Sequence, residues 1–112
     1  MKLLSRAEEI ILVSILKLKN NAYGVSIRGQ IHKDTGDNWS FASIYTPLDR
    51  LHRKKYVQKL KSDPLPERGG KSRFYYSLTP EGKKALLRIQ DAHQKIWLGV
   101  PDLKLELDTQ NG

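Results

Sequence analysis

FASIYTPLDRLHRKK, residues Phe41 to Lys55, sets Ile44, Leu48 and Leu51 at spacings of four and three, the apolar stripe of an amphipathic helix. Ser43, Thr46, Asp49, Arg50 and Arg53 fall elsewhere on that helix, so one face can bury while another meets a partner. Pro47 strains the pattern, because an interior proline removes a backbone donor and costs roughly 3 kcal/mol relative to alanine. Either the regular helix starts near Ser43, leaving Pro47 in the first turn, or it starts at Ser40 and bends.

Downstream, Tyr56 to Lys61 and Arg73 to Leu78 are rich in strand-favouring residues and alternate, with Tyr56, Gln58 and Leu60 on one side and Phe74, Tyr76 and Leu78 likewise. They are predicted to pair as an antiparallel hairpin around SDPLPERGGKS, a loop with two prolines and the Gly69-Gly70 pair. Upstream, Ser5 and Glu8 stand in the S-x-x-E relation of a capping box. The helix they open is apolar around most of its circumference from Ile10 to Leu18 and is predicted to stop at Asn20-Asn21. A second helix is expected over Tyr23 to Thr35, burying Ile27 and Ile31 and ending at Gly36. After a short turn, Ser40 is placed to cap the helix of the opening stretch. Two short helices joined by a tight turn, followed by a basic hairpin, make a winged helix-turn-helix.

Thr79-Pro80-Glu81 starts a last helix with a capping hydroxyl, a proline at the first position and an acid at the positive end of the dipole. Leu86, Ile89, His93, Ile96 and Val100 follow a 3-4-3-4 rhythm with Trp97 beside the seam, and the helix is expected to run about 21 residues, ~31 Å, to Pro101. That length exceeds what a small core covers, so these six residues are predicted to form a dimer interface; the alternative is that the helix folds back on the first one. LKLEL beyond Pro101 alternates like a short strand or packing tail. The expected architecture is mostly α (α+β): three N-terminal helices and a two-stranded wing over residues 1–78, then a dimerisation helix and tail over 79–112, as one structural unit.

Charge narrows the class of partner. The chain of 112 residues carries a net +8, and nine of its 20 basic residues (Arg50, Arg53, Lys54, Lys55, Lys59, Lys61, Arg68, Lys71 and Arg73) lie between Arg50 and Arg73 against Asp63 and Glu67, a local +7. A clustered excess of this kind suits a polyanion, because each phosphate neutralised releases condensed counterions. A mean hydropathy of -0.57 and an apolar run from Ile10 to Leu18 that is broken by Ser14 and Lys17 argue against membrane insertion, and no signal peptide is evident. A cytoplasmic protein is expected. With no cysteine, disulfides and thiolate metal sites are excluded. His32, His52 and His93 lie far apart without any hydrolase or metalloprotease motif, so neither catalysis, a metal nor a cofactor is predicted.

Within the helix-turn-helix, Ser40, Ser43 and Thr46 are candidates to meet base edges or phosphates, Tyr45 offers a hydroxyl to the backbone, and Arg50 and Arg53 are candidate phosphate anchors. Arg28 adds a contact from the second helix, and Arg68, Lys71 and Arg73 place the wing at the minor groove. Tyr75 and Tyr76 read as sheet packing. Across roughly residues 4–100 the chain resembles the PadR family of transcriptional regulators, through Ala22-Tyr23-Gly24, Ser43-Ile44-Tyr45 with Leu48, Arg50 and Leu51, Gly69-Gly70-Lys71 with Arg73, Tyr75 and Tyr76, and Leu78-Thr79-Pro80-Glu81-Gly82. The resemblance implies a homodimer formed through the C-terminal helix, double-stranded DNA operators of two-fold symmetry, repression, and in some relatives a flat aromatic effector between dimer tryptophans, here Trp97. Lys55 and Ala42 replace frequent glycines of the pattern, and Pro47 stands one place later than the usual proline. Two rival readings are a winged-helix module that binds protein and a small-molecule sensor in which DNA binding is secondary.

Overall fold

The computed structural model describes residues 2–63, 69 and 72–111. Ser5 and Glu8 close the expected capping box: the Glu8 amide donates to Ser5 Oγ at 3.1 Å, and the Ser5 amide donates to Glu8 Oε1 at 2.8 Å. Helix α1 (Arg6–Leu18) comes next and sends Ile11, Leu12 and Ile15 into the core. It is Lys19, with φ 54°, that ends α1, while Asn20 and Asn21 lie in a 3-10 turn over Lys19–Asn21. The asparagines are therefore not the left-handed stop. The chain has to reverse early enough to lay Ala22 beside the sheet, where its carbonyl accepts the Tyr76 amide at 2.8 Å.

Helix α2 (Gly24–Thr35) buries Ile27 and Ile31 and ends as expected on Gly36, whose φ of 80° suits a residue without a side chain. Helix α3 (Phe41–Arg53) begins directly after Ser40, whose Oγ accepts the Ser43 amide at 3.1 Å. A start near Ser43 is thereby excluded. Pro47 sits inside α3 with its ring buried beside Ile44, Leu48 and Leu51, so apolar burial offsets part of the lost backbone bond.

Strands β1 (Val57–Lys61) and β2 (Phe74–Leu78) form the predicted antiparallel hairpin, in register from Val57 opposite Leu78 to Lys61 opposite Phe74. Residues directly opposite share a face, so Val57, Lys59 and Lys61 lie with Leu78, Tyr76 and Phe74, and Gln58 and Leu60 with Ser77 and Tyr75. The buried residue of β1 is Val57, not a member of the predicted Tyr56-Gln58-Leu60 set, and Leu60 is exposed. Tyr56 stands outside the strand, because its amide donates to Leu51 and its carbonyl accepts from Thr79.

Helix α4 (Pro80–Trp97) starts at the predicted cap, with Thr79 Oγ1 accepting the Gly82 amide at 3.0 Å. It ends three residues earlier than predicted: Leu98 is extended and Gly99 turns with φ 81°, ahead of Pro101. Beyond Pro101 the chain forms not a strand but the exposed helix α5 (Leu103–Asn111), in which the amides of Lys104 and Leu105 donate to Asp102 Oδ1. A lone LKLEL strand would leave its backbone groups unpaired, whereas a helix pairs them internally. The core lies where α1 meets α2, α3, β2 and the first half of α4. The end of α4 and all of α5 stand outside it. Extents of 62 × 32 × 21 Å and a radius of gyration of 17.6 Å, against about 13 Å for a compact chain of this length, record that projection. Among the described residues no helix is long and apolar enough to cross a membrane.

Candidate nucleic-acid interface

The rotation of α3 is fixed by what it buries. With Ile44, Pro47, Leu48 and Leu51 against the core, a step of 100° per residue puts Ala42, Thr46, Asp49 and Arg53 on the opposite ridge, and all four are exposed. Ser43 and Arg50 flank the ridge on one side and Tyr45 on the other.

On the first flank, Ser40, Ser43, Thr46 and Arg50 line one open cleft of about 810 Å³ together with Trp39 and Ala7. Ser40 Oγ is occupied as the helix cap and lies 2.9 Å from Ser43 Oγ, which leaves the Ser43 hydroxyl the freer of the two. Arg50 does not point wholly outward. Its Nε is 4.0 Å from Glu8 Oε2, the oxygen to which Lys54 Nζ donates at 2.9 Å. Burial pushes the Glu8 carboxyl up, but the Ser5 amide, the Lys54 ammonium and the Ser5 hydroxyl outweigh it and hold the group below its ordinary value. Glu8 thus ties the first turn of α1 to the last turn of α3, a contact across 46 residues that no sequence spacing signals. Arg53, further along the ridge, is exposed and forms no ion pair among the described residues.

The second flank joins α3 to α2 and the hairpin. Tyr45 stacks on Phe41 with ring centroids 6.3 Å apart, and its hydroxyl rests where a side chain on Gly24 would have to go. Glycine at position 24 lets the Tyr45 ring lie against the start of α2; a larger residue would push that ring aside. Arg28 extends the stack, its guanidinium 5.2 Å from the Phe41 ring centre and its Nε donating to the Trp39 carbonyl at 2.6 Å. It therefore pins the turn between α2 and α3. Arg73 lies 3.8 Å over the Tyr23 ring and donates to the Tyr75 hydroxyl at 3.3 Å, and Tyr23 meets Tyr75 edge to face. Tyr45 and Arg73 share a cleft of about 320 Å³ with Gly24 and Phe74. Tyr76 is buried at the middle of the hairpin, opposite Lys59, as sheet packing requires, and its phenol is pushed up to about 12 by burial first and then by the charges of Tyr45 and Asp49. The predicted wing residues Arg68 and Lys71 lie outside the described residues.

Sequence reasoning missed Lys54, Phe41 and Tyr23 as organisers of this surface. The spacing of Phe41 and Tyr45, one helical turn apart, was the one available signal.

The predicted apolar seam of α4 divides. Ile89 is buried in the chain's own core with Leu86 packed against it, and His93 Nε2 meets Glu9 Oε1 of α1 at 3.2 Å, so these three serve the alternative, a fold-back on the first helix. The exposed apolar residues are Leu87, Ile96, Trp97, Leu98 and Val100, continued by Leu103, Leu105 and Leu107 of α5. Among the described residues no group of three or more His, Asp or Glu side chains converges on a metal position.

Three packed helices, a capped outward-facing α3 and a two-stranded hairpin beside it define a winged helix-turn-helix protein of the DNA-binding class. The sequence pattern of the Transcriptional regulator PadR-like family matches residues 11–88, and the chain belongs to that family, whose members are regulators and not enzymes. A PadR family transcription regulator from Clostridium difficile is similar at 28% identity and a TM-score of 0.59, over 94% of this chain and 98% of that one. A PadR-like regulator from Bacillus cereus (24% identity, TM-score 0.65, 80% and 82% covered) and a transcriptional regulator from Clostridium thermocellum (23%, 0.68, 80% and 84%) share the fold. No curated protein sequence matches the chain significantly.

Proposed function

We propose that this PadR-like regulator acts in the cytoplasm as a homodimer that represses transcription from a palindromic operator, with residues 1–78 reading DNA and 79–112 joining two copies. The observation that carries this reading is the α3 ridge, exposed along its length, flanked by two clefts and leading into a stretch, Arg50 to Arg73, of local charge +7. Each α3 enters a major groove, the two grooves about 34 Å apart along the duplex. Ser43 and Thr46 face base edges and Arg53 a phosphate. Arg50 reaches a phosphate from beside Glu8, and Ser40, Tyr45 and Arg28 set the pose of the helix. Arg73, with Arg68 and Lys71, brings the wing to the flanking backbone. The apolar residues of α4 beyond His93 and those of α5 meet a second copy, since large apolar side chains exposed in such a concentration mark an interface.

Selection of duplexes from a random pool tests this, followed by titration of the enriched site at rising salt. A palindromic consensus is expected, with affinity falling roughly 10³- to 10⁵-fold between about 50 and about 200 mM salt if six to ten phosphates are contacted. No enrichment even in dilute buffer would sink the proposal and favour the protein-binding module. Trp97, 60% exposed at the end of α4, supports a second element, a flat aromatic effector held between the two copies. Quenching of its fluorescence by such compounds is the readout.

A further inference from the structure

The ridge that faces outward from α3 carries one acid at its middle. Asp49 is exposed, and among the described residues its carboxylate takes part in no hydrogen bond or ion pair, although Arg53 lies one turn away at a spacing that commonly pairs. The contrast with Glu8 is plain: that acid is buried and held by Lys54 and the Ser5 amide, so its charge is spent inside the fold. Asp49 sits instead between Thr46 and Arg53 on the surface argued to enter a groove.

A carboxylate there is repelled by phosphates and by the acceptors that fill most of the major-groove edge: guanine N7 and O6, adenine N7 and thymine O4. Two base-edge amines attract it. Adenine N6 stands beside the N7 acceptor, which opposes a second carboxylate oxygen, whereas cytosine N4 has no acceptor next to it on its own base. Placed in a basic surface, such a group weakens binding to most sequences and favours one base pair. We propose that Asp49 is a specificity-determining residue that selects a cytosine in each half-site by accepting a hydrogen bond from its N4 amine. This rests on the reading that α3 lies in the major groove.

The test is parallel selection from a random duplex pool, at one fixed salt concentration, with the wild-type protein, Asp49→Asn and Asp49→Ala. The wild type is expected to enrich a cytosine at one fixed position per half-site, with roughly 5- to 150-fold preference over the other bases there. Asparagine offers a donor beside an acceptor and matches adenine, so Asp49→Asn should switch that position from cytosine to adenine. Asp49→Ala should become indifferent at that position while binding random duplex more tightly. Unchanged consensus in both variants, or an Asp49→Ala protein that gains affinity for all sequences with no position relaxed, overturns the assignment of Asp49 and leaves the DNA-binding reading standing. A wild-type protein that enriches nothing overturns both.

Discussion

Lys55 holds φ at 64°, a region that side-chain-bearing residues rarely occupy and glycine adopts readily. Its carbonyl accepts the Thr79 hydroxyl at 2.7 Å and its amide donates to His52, so the junction between α3 and the hairpin is held in place around a strained residue. Lys55→Gly should therefore stabilise the fold by roughly 0.5–1 kcal/mol, the relief of the left-handed backbone less the entropy that glycine loses. Thermal denaturation reads this, and Lys55→Ala, which removes the same charge without freeing φ, should show no gain. Glu8 gives a pH signature. Its carboxyl ionises more readily folded than unfolded, so the stability it contributes is complete above its ordinary value of 4.5 and is lost as pH falls through and below that value. Glu8→Gln should lower stability at neutral pH by roughly 1–3 kcal/mol and flatten the acid-side loss, followed by denaturant melts from about pH 6 to about pH 3. An equally steep acid limb in the variant would remove Glu8 from this role. Ser5 with Glu8, Ser40, and Thr79 with Pro80 were legible because caps are local; Glu8 with Lys54 and Gly24 with Tyr45 were not, because folding brings them together.

At the scale of elements, periodicity and caps place the helices and the hairpin within a few residues, and the departures share a cause. The spacing of α4 reads as one continuous interface, yet its first half packs on α1, since Ala85 and Ile89 complete a core that α1, α2 and α3 leave open on that side. From Ile96 onward the apolar residues of α4 are exposed one after another, whereas Leu87 is the one large apolar side chain exposed in its first half. Ile96→Asp with Trp97→Asp should thus separate the proposed dimer while sparing each domain, raising its dissociation constant roughly 30-fold or more, as loss of a central aromatic anchor does. Sedimentation at micromolar concentration distinguishes one copy from two, and a double variant that still sediments as a pair would move the interface elsewhere. The helical α5 is not legible in the sequence because its alternating LKLEL fits either period over so few residues.

Across the whole molecule, two chemistries are kept apart. Basic residues concentrate from the end of α3 through the hairpin, and unsatisfied apolar surface concentrates at the far end of α4 and on α5. A dimer closed through the second surface leaves both copies of the first in solvent, which is the arrangement that a salt-sensitive, two-fold contact with DNA requires. Net charge alone does not distinguish DNA from an anionic lipid surface. The ridge of α3, narrow enough for a groove and edged by clefts, favours the duplex.

By itself, the sequence determined the kind of protein this is: apolar periodicity, helix caps and the basic segment are properties of neighbouring residues, readable before any fold exists. The tertiary structure alone decided which charges remain for a partner. Arg28 and Arg73 are oriented by aromatic rings and Arg50 is drawn toward Glu8, while Asp49 and Arg53 stay outward, and these outcomes depend on distances between residues that only packing sets.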